Sequence, residues 1–263
     1  MLSSLLYSLL VVGLVSVISL IGVFALSLNE ATLDRILFFL VSFASGAILG
    51  AAFFDLLPEA IELGKGFGWE SQTIGYIVLG FVLFYLLERF IYFFHGDPHK
   101  AHCPPPEETS GISEFAILNL VGDGAHNFLD GMLIAVSFGV SVSLGIAASI
   151  AIIFHELPQE IGDFSVLLYG GFSRTKALVF NFISALTAIV GVIFAHFYTN
   201  RVPGFNPFLI ALTAGGFIYI AAVELIPQIQ KEPHVKRSAL QFVIFLLGLL
   251  LIWSLGIVFP EVE

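Results

Sequence analysis

Apolar residues dominate eight long stretches of the chain, and short polar or Gly/Pro-rich segments separate them. The stretches run roughly over 3–28, 35–63, 72–95, 113–138, 142–170, 175–199, 205–229 and 237–259. Each approaches or exceeds the ~20 residues that a helix needs to cross a hydrocarbon core. Between them lie "LNEATLD", "GKGFGWES", "HGDPHKAHCPPPEETSG", "GVSVS", "GGFSR", "NRVPGFNP" and "QKEPHVKR", rich in residues that punctuate helices. The pattern predicts an all-α membrane protein, an eight-transmembrane-helix bundle forming a single domain over 1–263. Residues 96–112, between spans three and four, read as an extended His/Pro-containing loop. No Lys or Arg precedes Arg35, so the first stretch lacks the basic start of a signal peptide and reads as a retained span.

Composition strengthens this reading. Hydrophobic residues make up 58% of the chain and charged residues 11%, against about a quarter charged in a soluble domain. Such a chain cannot cover a water-facing surface, so the lipid bilayer is its expected solvent. A single cysteine, Cys103, excludes an intrachain disulfide framework. A net charge of -10 without a basic arm excludes a nucleic-acid partner.

The basic residues choose an orientation. With both termini outside, the cytoplasmic segments hold Arg35, Arg89, Lys100, Arg174, Lys176, Lys231, Lys236 and Arg237, and the outside holds Lys65 and Arg201. Eight against two follows the positive-inside rule and favours an even number of spans. The 96–112 loop is then cytoplasmic.

Carboxylates change the picture most. Asp55, Glu59, Asp123, Asp130, Glu156, Glu160, Asp163 and Glu224 all fall within the apolar stretches. A carboxylate deep in lipid costs at least a few kcal/mol unless paired, hydrated or protonated. Eight of them without Lys or Arg in the span interiors imply a cation, protons or a wet cavity. His126 and Asp130 are four residues apart, as are His155 and Gln159, so each pair shares a helix face. Asn127 lies on the stripe beside the first pair, and Glu156 and Glu160 on the stripe beside the second. The short "GVSVS" connection makes spans four and five antiparallel neighbours with both histidines near mid-membrane. Imidazole, carboxylate and amide donors converging there suit zinc and related first-row divalent ions. Pro158 frees the carbonyl of Phe154 in the same region, and irregular backbone at this depth is tolerated where it lines a cavity or is buried in protein.

Blander readings compete. A lone intramembrane His or Asn is more often interhelical glue than a ligand, and His196, near a helix end, is read that way. A purely structural scaffold leaves the carboxylates unexplained. An intramembrane zinc-dependent hydrolase is the alternative function, because "HELPQ" overlaps the H-E-x-x-H pattern. Gln159 replaces the second histidine of that pattern and Pro158 interrupts its helix, so the chain is read as a non-enzyme.

At these residues the chain resembles the ZIP (Zrt/Irt-like) family of divalent-metal transporters. "HNFLDG" resembles the fourth-helix motif and "HELPQEIGDF" the fifth; "DLLPEA" and "AGGFIYIAAVELIPQI" resemble the second- and seventh-helix patterns. The resemblance implies uptake of divalent cations toward the cytoplasm, with Zn2+ foremost and Fe2+, Mn2+ or Cd2+ as further candidates. It also implies a homodimer, and the plasma membrane as location (the cell inner membrane if bacterial). The family's primary ligands carry over to His126, Asp130, His155 and Gln159. Its second-site positions match Asn127 and Glu156, with Asp130 and Gln159 placed to bridge. Neutral Gln159, where relatives have His or Glu, is a poor bridge between two cations. The orientation makes Asp55 and Glu59 a candidate entrance. Asp123, Asp163 and Glu224 become a candidate exit, continued by His95, His99, His102 and Cys103 on the cytoplasmic side. Without a P-loop or nucleotide domain, gradient and membrane potential are the expected driving forces.

Overall fold

The computed structural model describes residues 2–21, 28–95, 114–199 and 201–258. Its elements are α1 (Leu2–Ile18), α2 (Glu30–Gly50), the π-turn π1 (Ala51–Leu56), α3 (Leu57–Gly66), α4 (Glu70–His95), α5 (Glu114–Val140), α6 (Val142–Tyr169), α7 (Arg174–Ala185), α8 (Thr187–Thr199), α9 (Phe205–Tyr219), π2 (Ile220–Leu225), α10 (Ile226–Gln230) and α11 (Val235–Val258). There is no strand among the described residues. π1 joins α2 to α3, π2 joins α9 to α10, and α8 follows α7 after one residue, so among the described residues the elements line up as eight rods. Five rods are long and apolar enough to cross a membrane: Arg35–Gly66, Val142–Leu168, Arg174–Thr199, Phe205–Gln230 and Val235–Leu255. Ser3–Ile18 and Ser71–Leu87 are shorter apolar helices. The loop 96–112, with His99, His102 and Cys103, lies outside the described residues. His95 ends α4 and Glu224 lies in π2, but their side chains fall outside the description too.

Two of the predicted spans are interrupted. α1 ends at Ile18 in a turn where the Ser19 hydroxyl donates to the Ser16 carbonyl at 2.8 Å, Ile21 is again helical, and residues 22–27 of the first predicted span lie outside the described residues. The rod over 174–199 breaks at Leu186. There the Thr187 hydroxyl lies 2.7 Å from the Ser184 carbonyl and 2.6 Å from the Gly124 carbonyl of α5. A hydroxyl that takes a carbonyl of the preceding turn competes with the helix and bends it.

Both π-turns run into a proline, Pro58 at the start of α3 and Pro227 at the start of α10. A proline has no N–H, so the carbonyls of Phe54 and Val223 lose their helical partners, and a widened turn absorbs the mismatch. Asp55 and Glu224 each sit three residues before their proline, inside the π-turn.

Three reciprocal glycine contacts hold the rods together. A Cβ on Gly46 would collide with the Phe245 carbonyl, and one on Gly248 with that of Phe43. The same holds for Gly80 against Leu212 and Gly215 against Ile77, and for Gly131 against Ala188 and Gly191 against Phe128. Backbone therefore touches backbone between α2 and α11, α4 and α9, and α5 and α8. Small residues permit such approach where lipid supplies no hydrophobic drive between helices. Contacts spread along each pair rise together in number: Gly46 meets Phe245 and Gly50 meets Ile252, Tyr76 meets Phe208 and Phe81 meets Tyr219, and Gly124 meets Thr187 and Phe128 meets Gly191, so the two helices of each pair are parallel.

The burial pattern suits lipid rather than water. Leu6, Leu10, Leu14 and Val17 form an exposed apolar stripe on α1, while Asp123, Asn127, Asp130, His155, Glu156, Glu160 and Asn181 are buried. At one end, aromatic rings form a linked set: Phe67–Trp69, Trp69–Tyr76 and Tyr76–Phe208 have centroids 5.1, 5.7 and 5.0 Å apart. Gly204 turns there at φ 81°, and a Cβ on it would strike the Trp69 indole. Such rings favour a membrane–water interface. Ser4, Leu5 and Ser8 of α1 share a cavity of about 100 Å³ with Ala135, Gly139, His196 and Thr199. α1 therefore begins where α5 and α8 finish.

Gly131→Val is expected to destabilise the protein by about 1–3 kcal/mol, because overpacking must push α5 from α8. Gly139→Val, at a position with nothing within 4 Å of an added Cβ, serves as the comparison. Thermal unfolding in detergent reads both; equal melting temperatures would refute the close-contact account.

Candidate metal centre

The α5–α6 hairpin builds the site. The Ser141 side chain accepts from the Leu144 N–H at 3.1 Å and caps α6 one residue after α5 ends. His126 lies 15 residues before Ser141 (141 − 126) and His155 lies 14 after it (155 − 141). At 1.5 Å per residue both histidines reach the same level, about 20 Å from the turn.

Four side-chain atoms converge there. His126 Nε2 lies 3.2 Å from His155 Nε2, 3.6 Å from Glu156 Oε1 and 3.8 Å from Asp130 Oδ2. His155 Nε2 lies 3.3 Å from Glu156 Oε1 and 3.4 Å from Asp130 Oδ2. Zinc bonds of about 2.0–2.1 Å in a tetrahedron place ligand atoms about 3.3–3.4 Å apart. The five separations bracket that value, so the four atoms outline a tetrahedron around a point that an ion could occupy. Among the described residues, this is the group of His, Cys, Asp or Glu side chains able to hold a metal ion.

The surroundings prepare these atoms as ligands. His155 Nδ1 lies 3.1 Å from the Ala151 carbonyl. A carbonyl only accepts, so Nδ1 carries the proton and Nε2 presents its lone pair, the usual way a hydrogen bond orients a ligating imidazole. Two carboxylates and two neutral imidazoles offer charge −2, which cancels that of a divalent ion. The side chains of Asp130, His155 and Glu156 are almost wholly enclosed, and His126 keeps 12% of its surface exposed. The Phe84 and Phe217 rings meet the His126 and His155 imidazoles edge-on, with centroids 6.1 and 6.2 Å apart. With Leu133, Leu209 and Leu212 they enclose a void of about 10 Å³ beside Asp130, room for about one water.

Among the other singled-out residues, Asn127 donates its amide to Asp123, at 2.8 Å to Oδ1 and 3.2 Å to the carbonyl. It therefore turns toward the N-terminal part of α5 and away from the four converging atoms. Glu156, expected on a neighbouring stripe, joins them; positions 155 and 156 straddle the face of α6 that meets α5. Gln159 is half-buried one turn beyond His155. Asp55 and Glu59 are half-buried in π1 and α3. Asp163 accepts from Asn119 at 2.9 Å. Buried Glu160 accepts from buried Asn181 of α7. The sequence reading passed over Asn119 and Asn181, although a polar amide inside an apolar stretch was the available signal.

Comparisons with known proteins found one family model and several relatives. The ZIP Zinc transporter family model matches residues 2–115 and 97–256. Zinc transporter YKE4 of Saccharomyces cerevisiae is 32% identical over 237 residues, 80% of this chain and 68% of that protein. Zinc transporter ZIP13 of Mus musculus is 32% identical over 251 residues, 83% of this chain and 69% of that protein. IAA-alanine resistance protein 1 of Arabidopsis thaliana is 40% identical over 154 residues, 57% of this chain and 33% of that protein. The chain thus spans about two thirds of the first two relatives and a third of the last.

Zn2+ at about one hundred times its dissociation constant is expected to stabilise the protein by about 2.7 kcal/mol. Glu156→Gln is expected to lose most of that gain, because it removes one tetrahedral ligand and half the compensating charge. A calorimetric melt with and without Zn2+ measures the difference; an undiminished gain in the variant would exclude Glu156 from the ligand set.

Proposed function

The chain belongs to the ZIP zinc transporter family, and from that premise we propose that it carries divalent cations, zinc foremost, into the cytoplasm. His126, Asp130, His155 and Glu156 hold the ion at mid-membrane. The observation that carries this reading is the tetrahedral convergence of their four ligand atoms inside a lipid-suited bundle. Four protein ligands leave no open position for the water that a zinc hydrolase needs, which favours transport over hydrolysis.

Eight spans with both termini outside remain our reading of the topology. The eight rods support it, and so do the parallel packing of α2 with α11 and the start of α1 beside the ends of α5 and α8. The positive-inside distribution then puts the aromatic end outside and the 96–112 loop in the cytoplasm. Asp55 and Glu59 serve as the entrance, and Asp123, Asp163 and Glu224 lie on the exit side. The membrane potential suffices to drive entry: a divalent ion moving inward across 100 mV gains about 4.6 kcal/mol, twice the single-charge value. Plasma-membrane location and a homodimer complete the proposal.

His126→Ala and His155→Ala are each expected to lower zinc flux into proteoliposomes at least tenfold at matched protein levels. Near-normal flux in both would overturn the assignment of the site. Gln159→Glu is expected to raise the number of ions bound, by supplying a charged bridge between the four ligands and a second ion beside them. Equilibrium dialysis against Zn2+ counts them, and an unchanged stoichiometry would refute the bridging role.

A further inference from the structure

Inward of the four converging side chains lies a second buried polar layer that the transport site does not use. Asp123 precedes His126 by almost one turn on α5, and Glu160 follows Glu156 by one turn on α6, so the antiparallel pair brings both carboxylates toward the same end. Each is met by an asparagine amide: Asn127 donates to Asp123 Oδ1, and Asn181 of α7 donates to Glu160 Oε2. The asparagine orientations are fixed, because each Nδ2 also faces a backbone carbonyl, of Asp123 at 3.2 Å and of Ser19 at 3.3 Å. An amide oxygen turned the other way would oppose two acceptors.

This leaves a one-sided remainder. Asp123 Oδ2, Glu160 Oε1, Asn127 Oδ1 and Asn181 Oδ1 are fully enclosed and receive no hydrogen bond. All four atoms are acceptors. Glu160 also lies within electrostatic reach of Asp123, Glu156 and Asp163. Buried polar groups are otherwise satisfied almost without exception, and a surplus of oxygen acceptors around neighbouring carboxylates is what a positive charge resolves.

We propose that Asp123, Glu160 and the side-chain oxygens of Asn127 and Asn181 form a second cation station, oxygen-only and set inward of the histidine site. It takes a divalent ion that keeps part of its water shell. Among the described residues, the group of carboxylates and imidazoles close enough to ligate one bare ion is the histidine set alone. Bridging waters therefore fill out the coordination at the second station. Oxygen donors suit harder ions such as Mn2+. The station deepens the transport reading and rests on it for its role: it receives the ion as His126 and His155 let go. It shares Asn127 with the second position that the resemblance implies, and differs from it in its carboxylates, Asp123 and Glu160 in place of Glu156 and the bridging Asp130, and in drawing Asn181 from a third helix.

Mn2+ binding to the full chain in detergent tests this by electron paramagnetic resonance. In His126→Ala/His155→Ala, one Mn2+ per chain is expected to remain, without nitrogen hyperfine coupling from imidazole. Adding Glu160→Gln, which keeps the side-chain shape and an acceptor for Asn181, is expected to weaken that binding at least tenfold. Adding Asn181→Ala instead should weaken it severalfold from a different helix, and circular dichroism checks that helicity is kept. No Mn2+ in the double-histidine variant, or residual binding unchanged by both additions, overturns the proposal; the latter would assign the ion to Asp130 and Glu156. Absence of zinc flux in the unaltered protein would instead overturn the transport reading, since this binding is read at equilibrium.

Discussion

The whole arrangement depends on the cost of holding anionic oxygen in a medium without water. Asp123, Asp130, Glu156 and Glu160 are all buried within two adjacent helices, and none of the ten Lys and Arg residues falls in the interior of those helices. Salt bridges to basic side chains, the usual compensation for buried charge, are therefore absent from the design. Asparagine amides give partial relief on one layer; on the other, His155 Nε2 presents a lone pair and adds to the acceptors that a cation would satisfy. Buried acceptors left over in this way are what a positive charge satisfies.

Such a site works only if its walls do not relax around it. Three glycine-mediated contacts bring backbone against backbone between parallel helices, and one of them joins α5, which carries His126 and Asp130, to α8. α7, directly before α8, carries Asn181, which reaches Glu160 on α6. Ser16 and Ser19 at the end of α1 meet the same region: the Ser16 hydroxyl donates to the Ala185 carbonyl at 3.1 Å, and the Ser19 carbonyl receives Asn181. The turn at Ser19 and the break at Leu186 thus both coincide with hydrogen bonds around the polar layers. Where the helical ladder is interrupted, the freed groups go to side chains, as an environment without water requires.

Much of this was legible in the sequence. The long apolar stretches and their breakers marked the rods, and the four-residue spacings with a short connection located the paired histidines on facing helices. What it could not convey was rotation about the helix axes. Glu156 and Asn127 occupy neighbouring stripes of an ideal helix, and only packing decides which of them turns toward His126 and His155. Asn127 goes to Asp123, within its own helix, and Glu156 goes to the imidazoles. Asn181 was hidden for another reason: its partner lies 21 residues away on another helix, and no local pattern announces such a pairing. The π-turns before Pro58 and Pro227 show the reverse case, since proline chemistry predicts that the backbone must yield but not that it yields by widening.

The tetrahedral set poses a kinetic problem that its surroundings address. Four ligands with matched charge resemble the closed geometry of structural zinc sites, which hold ions too well for rapid passage. Conduction needs binding weak enough, or spread over enough sites, for the ion to leave. On the proposed assignment, neighbouring anionic oxygens would lower the barrier to departure by attracting the ion before the last imidazole has released it. They would also replace dry ligation by partial hydration. Glu156 lies one turn from Glu160 on α6, so displacement of the ion by one helical turn, about 5.4 Å, would exchange the imidazole pair for oxygen. A step that short would make tight recognition at the histidines compatible with release, and it gives the proposed station a reason to hold carboxylates that recognition alone would not need.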